Sequence, residues 1–183
     1  MDFKQRKDFS KLINVCDIHK LNYIGKENSL SKNWFREQNG LPGKESVIGI
    51  LRKNVYNYFK NIVKATSDEA LWTTFIDFKD KVKPRSFANS FLECNSRATN
   101  DYRHKSKLAY CLNRFENPFI TNYFAKNGIA VNQDALATSE MLQWIWRSQI
   151  RENKPIDIYI PSLRMRSLLQ DWLAGENELK VAS

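Results

Sequence analysis

Residues 139–173, SEMLQWIWRSQIRENKPIDIYIPSLRMRSLLQDWL, read as helix, strand, helix. In the first segment Leu142, Ile145, Trp146 and Gln149 recur at three-and-four spacing and mark one buried stripe. Gln143, Arg147 and Arg151 fall four apart along another face, which is expected to be open. Asn153, Lys154 and Pro155 break this helix, because a residue before proline is pushed out of the α region. Ile156, Ile158 and Ile160 then alternate with Asp157 and Tyr159 as a half-buried strand. Pro161 and Ser162 open the next helix, with Ser162 as N-cap and Met165, Leu168, Leu169, Trp172 and Leu173 as its buried stripe. Arg164 and Arg166 sit on its first turns, so four arginines are expected to gather around one unit.

Outward from this unit, composition sets bounds. With 42% hydrophobic and 13% aromatic residues in 183, the chain is too apolar for a disordered polymer and large enough for a sizeable core. The 29 Lys and Arg against 20 Asp and Glu give a formal charge of +9, which favours a polyanionic partner such as nucleic acid or a ribonucleoprotein over a membrane surface. No apolar run reaches the length of a membrane span, and MDFKQRKDFSKL lacks a signal-peptide core, so a cytoplasmic protein with no membrane partner is expected. Cys16, Cys94 and Cys111 are odd in number and scattered, as for buried thiols in a reducing compartment. Cys16 and His19 form a C-x-x-H pair with no second pair at zinc spacing, which favours packing over metal. No metal and no cofactor are expected.

From the N-terminus, Phe9, Leu12, Ile13 and Cys16 predict an amphipathic helix over 7–21. Residues 22–44 read as loop with a short helical turn at Trp34 and Phe35. GLPGKES is not a P-loop: the glycine spacing is short, Glu45 stands at the magnesium-ligand position, and no strand precedes it. Apolar positions from Val47 to Ile62 predict a long helix, and Thr66 with Glu69 match a capping box opening another through Leu71, Trp72, Phe75, Phe78 and Val82. Beyond Pro84, a short strand is predicted at SFLEC (90–94), a helix through Leu108, Ala109, Leu112 and Phe115, another from Ile120 to Gly128, and a brief strand at 129–131. The expectation is an α/β fold, with α+β as the alternative. Its parts are a mainly helical region 1–85, an α/β region 86–175 and a polar tail 176–183, packed as one unit.

Two basic foci are candidate sites. The polar turn NSRATNDYRHKSK carries Arg97, Asn100, Arg103, Lys105 and Lys107, whose donors suit phosphate; a solvated turn accounts for the same residues. Gln143, Arg147, Arg151, Arg164 and Arg166 form the second focus, with Trp144 and Trp146 beside them as a stacking or protein-docking surface if exposed. The alternative is a solvated face paired to nearby carboxylates. For catalysis the candidates are His104 with Asp101, an acid/base pair for a ribonuclease, against a reading as ordinary helix-entry residues.

NSRATNDY, LAYCLNRFENP, SEMLQWIWRSQIR and IYIPSLRMRSLL together resemble the C-terminal RecA-like lobe of superfamily 2 helicase-like replication proteins from phages and plasmids of Gram-positive bacteria. The resemblance covers 88–173. It implies that Gln143 and Arg147, with Arg151 one step late, correspond to the glutamine-and-arginine motif that meets nucleotide phosphates. The helicase motif has glycine where Trp146 stands and tighter arginine spacing, and the nucleotide-binding lobe is absent, so no motor is implied. In size, charge and mobile-element character the chain is also similar to type II-A anti-CRISPR proteins of streptococcal elements. That likeness implies an inhibitor that binds the type II CRISPR effector nuclease and its guide RNA, with guide truncation as one outcome. The alternative is a degenerate helicase-lobe DNA-binding or docking module of a replication system, without independent catalysis.

Overall fold

The computed structural model describes residues 9–39, 46–96 and 101–175. Its centre is a parallel sheet of four strands, β1 (Ile13–Val15), β2 (Ala70–Thr73), β3 (Lys107–Tyr110) and β4 (Ile156–Tyr159), in the order β1-β4-β3-β2. In register, Leu108 lies between Leu71 and Ile158, and Ala109 between Trp72 and Tyr159. Two strands come from the segment 1–85 and two from 86–175, so one sheet runs through both.

Side chains alternate across the sheet, and each face carries its own helical layer. Leu71, Leu108, Tyr110, Ile156 and Ile158 point to one face, where α6 (Gln133–Ile145) and α7 (Leu163–Ala174) add Met141, Trp144, Ile145, Met165 and Leu169. Trp72, Ala109, Cys111 and Tyr159 point to the other, under Leu51, Val55, Tyr58 and Phe59. The layer there is α1 (His19–Asn22), α2 (Lys32–Asn39), α3 (Val47–Asn57) and α4 (Lys79–Val82). One further helix, α5 (Pro118–Lys126), lies between β3 and α6. The β1-to-β2 crossover runs one way along the sheet over the second face, and the β3-to-β4 crossover runs back over the first. Opposite directions on opposite faces give one hand, as parallel crossovers require.

Polar groups within the core are bonded. Trp72 Nε1 donates to the Phe87 carbonyl at 2.7 Å and Trp144 Nε1 to that of Leu92 at 3.2 Å. Each bond pins a loop to a ring whose burial contributes about 1.5–3 kcal/mol or more. Ser162 caps α7 by accepting from Met165 N, as its sequence position predicts. Ser46, the last residue of the GLPGKES stretch, caps α3 by accepting from Gly49 N; the rest of that stretch, 40–45, lies outside the described residues.

The α/β class is as expected, and several elements are not. The helix expected over 7–21 is β1 followed by the single turn α1, because Ile13 and Val15 are better used pairing with β4. The helix expected from 71 opens as strand β2, and the helix expected at 108–115 as strand β3. β3 is central and β2 lies at the sheet edge, but both faces of each are covered, so their apolar residues run without the gaps that mark a half-exposed strand. Thr66 and Glu69 do make the reciprocal capping bonds, but around a turn that leads into β2. At 90–94 there is a 3₁₀ turn, Ala88–Ser90, and a single bridge from Phe91 to Trp72; 129–131 is not a strand. The helix of the opening stretch stops at Ile145, leaving Arg147 in a turn and Arg151 in the 3₁₀ segment Gln149–Glu152.

Candidate functional site

After β2 the chain turns towards the α3–α4 layer, and after β3 it leaves towards α5 and α6, so the two carboxyl ends diverge. In open parallel sheets such a divergence leaves a crevice where ligands bind. Here it is a cleft of about 1110 Å³. Phe75 and Asn113 come from the ends of β2 and β3, Lys32, Trp34 and Arg36 from α2, and Arg114, Phe115 and Asn117 from the approach to α5.

Asn113 supports the floor. Fully buried, it donates through Nδ2 to the carbonyls of Glu27 at 2.9 Å and Ser29 at 3.1 Å, while its own N–H donates to that of Leu30 at 2.8 Å. One side chain thereby ties the 25–31 loop over the end of β3. That loop needs the tie: Leu30 is buried with φ of 67°, a left-handed conformation that costs a non-glycine residue about 1–2 kcal/mol. Gly25, at φ of 120°, is packed so that a Cβ would stand 2.4 Å from Ser29 Oγ. The rim is ordered by ion pairs, Lys32 to Asp77 at 2.9 Å and Arg114 to Glu140 at 2.5 Å. The result is a preformed concavity lined by cations, amide groups and partly exposed aromatic rings, with the carboxylates of Glu37 and Glu116 among them.

Arg164 is a strut beneath this cleft. Its guanidinium donates to Asp134 at 2.6 Å, to Asn113 Oδ1 at 3.0 Å and to the Arg114 carbonyl at 2.7 Å, and stacks on the Phe115 ring. Its side chain is only 10% exposed, so the guanidinium expected at the surface is turned into the fold. Arg166 is half-buried and donates to the Ile160 carbonyl at 2.7 Å, closing the other divergence of the sheet, between β1 and β4. Burial lowers its pKa.

The remaining predicted residues lie at the opposite edge, where strands begin. Lys105 is buried and donates to the Asp68 carbonyl at 2.6 Å and the Ser67 carbonyl at 3.3 Å; burial pulls its pKa down. Lys107 pairs with Asp157 at 2.5 Å. Both ammonium groups are thus engaged in bonds within the fold. His104 Nε2 meets Asp68 at 3.3 Å, so the carboxylate at its ring is not that of Asp101. Arg103 and Arg151 are exposed near Glu152, whose pKa is lowered by its bond to Lys154 and by both arginines. Arg147 donates to Ser96 Oγ at 2.9 Å, and Gln143 to Ser139 Oγ at 3.3 Å. Arg97 and Asn100 lie outside the described residues. The four arginines therefore divide between the two edges of the sheet instead of forming one cluster.

The tryptophans do not make a docking face either. Trp144 is fully buried against Tyr110, and Trp146 is packed between Phe9 and Trp172. The cleft itself escaped sequence reasoning, because its cations come from 26–36 and 114, far apart in the chain. The one local sign was the polar, cation-bearing 22–44 segment with Trp34 inside it.

Among the described residues no helix is long and apolar enough to cross a membrane. No solved structure matches the chain. It is 48% identical over 157 residues to the SPbeta prophage-derived uncharacterized protein YonV of Bacillus subtilis strain 168. That match takes in 85% of this chain and 37% of the relative, so the chain spans well under half of that phage-derived protein. A family model described as the YonV C-terminal Rossmann-like domain matches residues 7–173, in agreement with the parallel sheet and its two helical layers. The chain belongs to the family of YonV C-terminal Rossmann-like domains.

Proposed function

We propose that this domain is a binding module of a mobile element that holds a nucleic-acid strand in the cleft at the carboxyl edge of the sheet. The observation that carries this reading is the lining: Lys26, Lys32, Arg36 and Arg114 beside Trp34 and Phe115 in one concavity of about 1110 Å³. Cations meet phosphates, rings stack on bases, and side-chain amides meet sugar and base edges. The formal charge of +9 adds long-range attraction for such a strand. A helicase-like nucleotide contact through Gln143, Arg147 and Arg151 is less favoured, because the helix ends before Arg147 and the three residues share no helical face.

The test is fluorescence anisotropy with labelled single-stranded RNA, single-stranded DNA and duplex DNA, and with a guide-loaded type II CRISPR effector, at two salt concentrations. Arg36→Glu and Lys26→Glu should each weaken single-strand binding about tenfold, while Arg103→Glu, at the other edge, should change it less than about threefold. With about two phosphates neutralised, since Lys32 and Arg114 already pair with Asp77 and Glu140, log K should fall against log salt with a slope of about −1 to −2. Equal losses from both edges, or no strand binding, would overturn the reading. A denaturing gel then separates the finer uses. Guide shortened only in the effector complex supports inhibition of a CRISPR nuclease. Preference for DNA with guide intact supports a replication module.

A further inference from the structure

The turn that follows the Phe91 bridge carries two polar side chains that neither the core nor the rim of the cleft uses. Leu92 N donates to the Trp72 carbonyl at 3.0 Å, Trp144 Nε1 donates to the Leu92 carbonyl at 3.2 Å, and Ser96 N closes the turn on the Glu93 carbonyl at 3.2 Å. Arg147 holds the far side of the turn through Ser96 Oγ at 2.9 Å. The backbone from 92 to 96 is therefore fixed at both ends. The Glu93 carboxylate and the Asn95 amide, at the first and third positions of the turn, are exposed and have no hydrogen-bond or ion-pair partner among the described residues.

Both side chains line a small pocket of about 130 Å³ just beyond the carboxyl ends of β2 and β3. Ile76 and Leu112 give it apolar sides, and Lys32, Phe75 and Arg114 line this pocket and the large cleft alike, so the two adjoin. The pocket's other polar groups are already engaged: Asp77 pairs with Lys32 at 2.9 Å, and the Thr74 hydroxyl donates to the Cys111 carbonyl at 3.0 Å. What is left over is one carboxylate and one amide. The volume equals that of about four waters, which suits a single planar base and excludes a base pair.

The unused groups discriminate among bases. A carboxylate offers two adjacent acceptors and no donor, and an amide adds one donor site beside them. On its Watson–Crick edge guanine alone presents two adjacent donors, N1–H and the 2-amino group, next to the O6 acceptor. Adenine and cytosine set a ring-nitrogen lone pair beside their amino group, and uracil and thymine set a carbonyl on each side of N3–H, so each of these turns a lone pair on the carboxylate. We propose that this pocket is a guanine subsite of the strand-binding cleft, in which Glu93 accepts from N1–H and the 2-amino group and Asn95 Nδ2 donates to O6. The subsite rests on the strand-binding reading, since the cleft holds the rest of the strand. An unpaired base is free to be read in this way, whereas a paired one has its edge occupied.

The probes are fluorescein-labelled octamers of uridine RNA and of thymidine DNA, each plain or carrying guanine, hypoxanthine, adenine or cytosine at the fifth position, read by anisotropy with the full chain. One guanine should tighten binding about tenfold over the plain octamer, hypoxanthine, which lacks the 2-amino group, should give back most of that gain, and adenine and cytosine should give none. Glu93→Gln should bring the ratio of guanine to plain octamer close to one, because a glutamine offers one acceptor and sets a donor against the second position; Asn95→Ala should reduce the ratio to about threefold. Octamers that bind alike whatever the fifth base leave the cleft reading standing and overturn the guanine subsite. Binding of none of them overturns both. A ratio that stays near tenfold in Glu93→Gln also overturns the subsite.

Discussion

At the scale of single residues, identical side chains in this chain hold opposite positions. Arg164 and Arg103 both read as surface cations in the sequence. Arg164 is enclosed by Asp134, Asn113 and the Phe115 ring, whereas Arg103 stands in solvent. Arg164→Ala should therefore lower stability by about 2–3 kcal/mol in urea unfolding, since it strands Asn113 Oδ1 and the Arg114 carbonyl, and Arg164→Lys should recover only part of that because an ammonium lacks the planar fork. Arg103→Ala should stay within about 0.5 kcal/mol. Equal effects would mean that the network beneath the cleft is not what holds it. The four arginines and two tryptophans of the opening stretch were legible in the sequence as chemistry. Their placement was not, because the partners of Arg147 and Arg164 are 30 to 51 residues away.

At the scale of elements, the Thr66–Glu69 box shows how a local signal survives a changed context. Glu69 Oε2 accepts from Thr66 N at 2.9 Å and Thr66 Oγ1 at 2.8 Å, and these bonds hold its carboxyl below the usual glutamate range. A carboxylate lowered on folding stabilises the protein fully above its unfolded value of about 4.3, and that contribution fades as pH falls through the lower folded value. Glu69→Gln should thus unfold earlier than wild type at pH 7, by a few tenths of a kcal/mol given solvent screening, and the two should converge as pH falls below the lowered folded value. A gap that persists or widens in acid would show that the charge is not responsible. The turn leads into a strand because Ala70–Thr73 can be buried on both sides there, between β3 and the Phe91 bridge. Capping chemistry specifies a turn of backbone, and packing decides whether a helix or a strand comes after it.

At the scale of the whole molecule, the sheet is a single barrier between two apolar layers. Cys111, fully buried just past β3, has its thiol pushed up by burial, and the half-buried Cys16 and Cys94 are raised too. With a disulfide-type thiol reagent at neutral pH, Cys111 should react last, at a rate that rises with urea in step with global unfolding, while the other two react from the native state. Simultaneous reaction of all three would show that the layers open together below the global transition. By itself, the order of residues determined the α/β class, strand β4, helix α7 with its Ser162 cap, and helix α5. Each depends on spacing within a dozen neighbours. Only the tertiary structure decided that 70–73 and 107–110 are strands, that the arginines part to opposite edges, and that the cleft exists. A residue buried on both sides looks alike in helix and strand until its neighbours arrive, and a crevice between diverging strands is a property of chain crossings that no local pattern encodes.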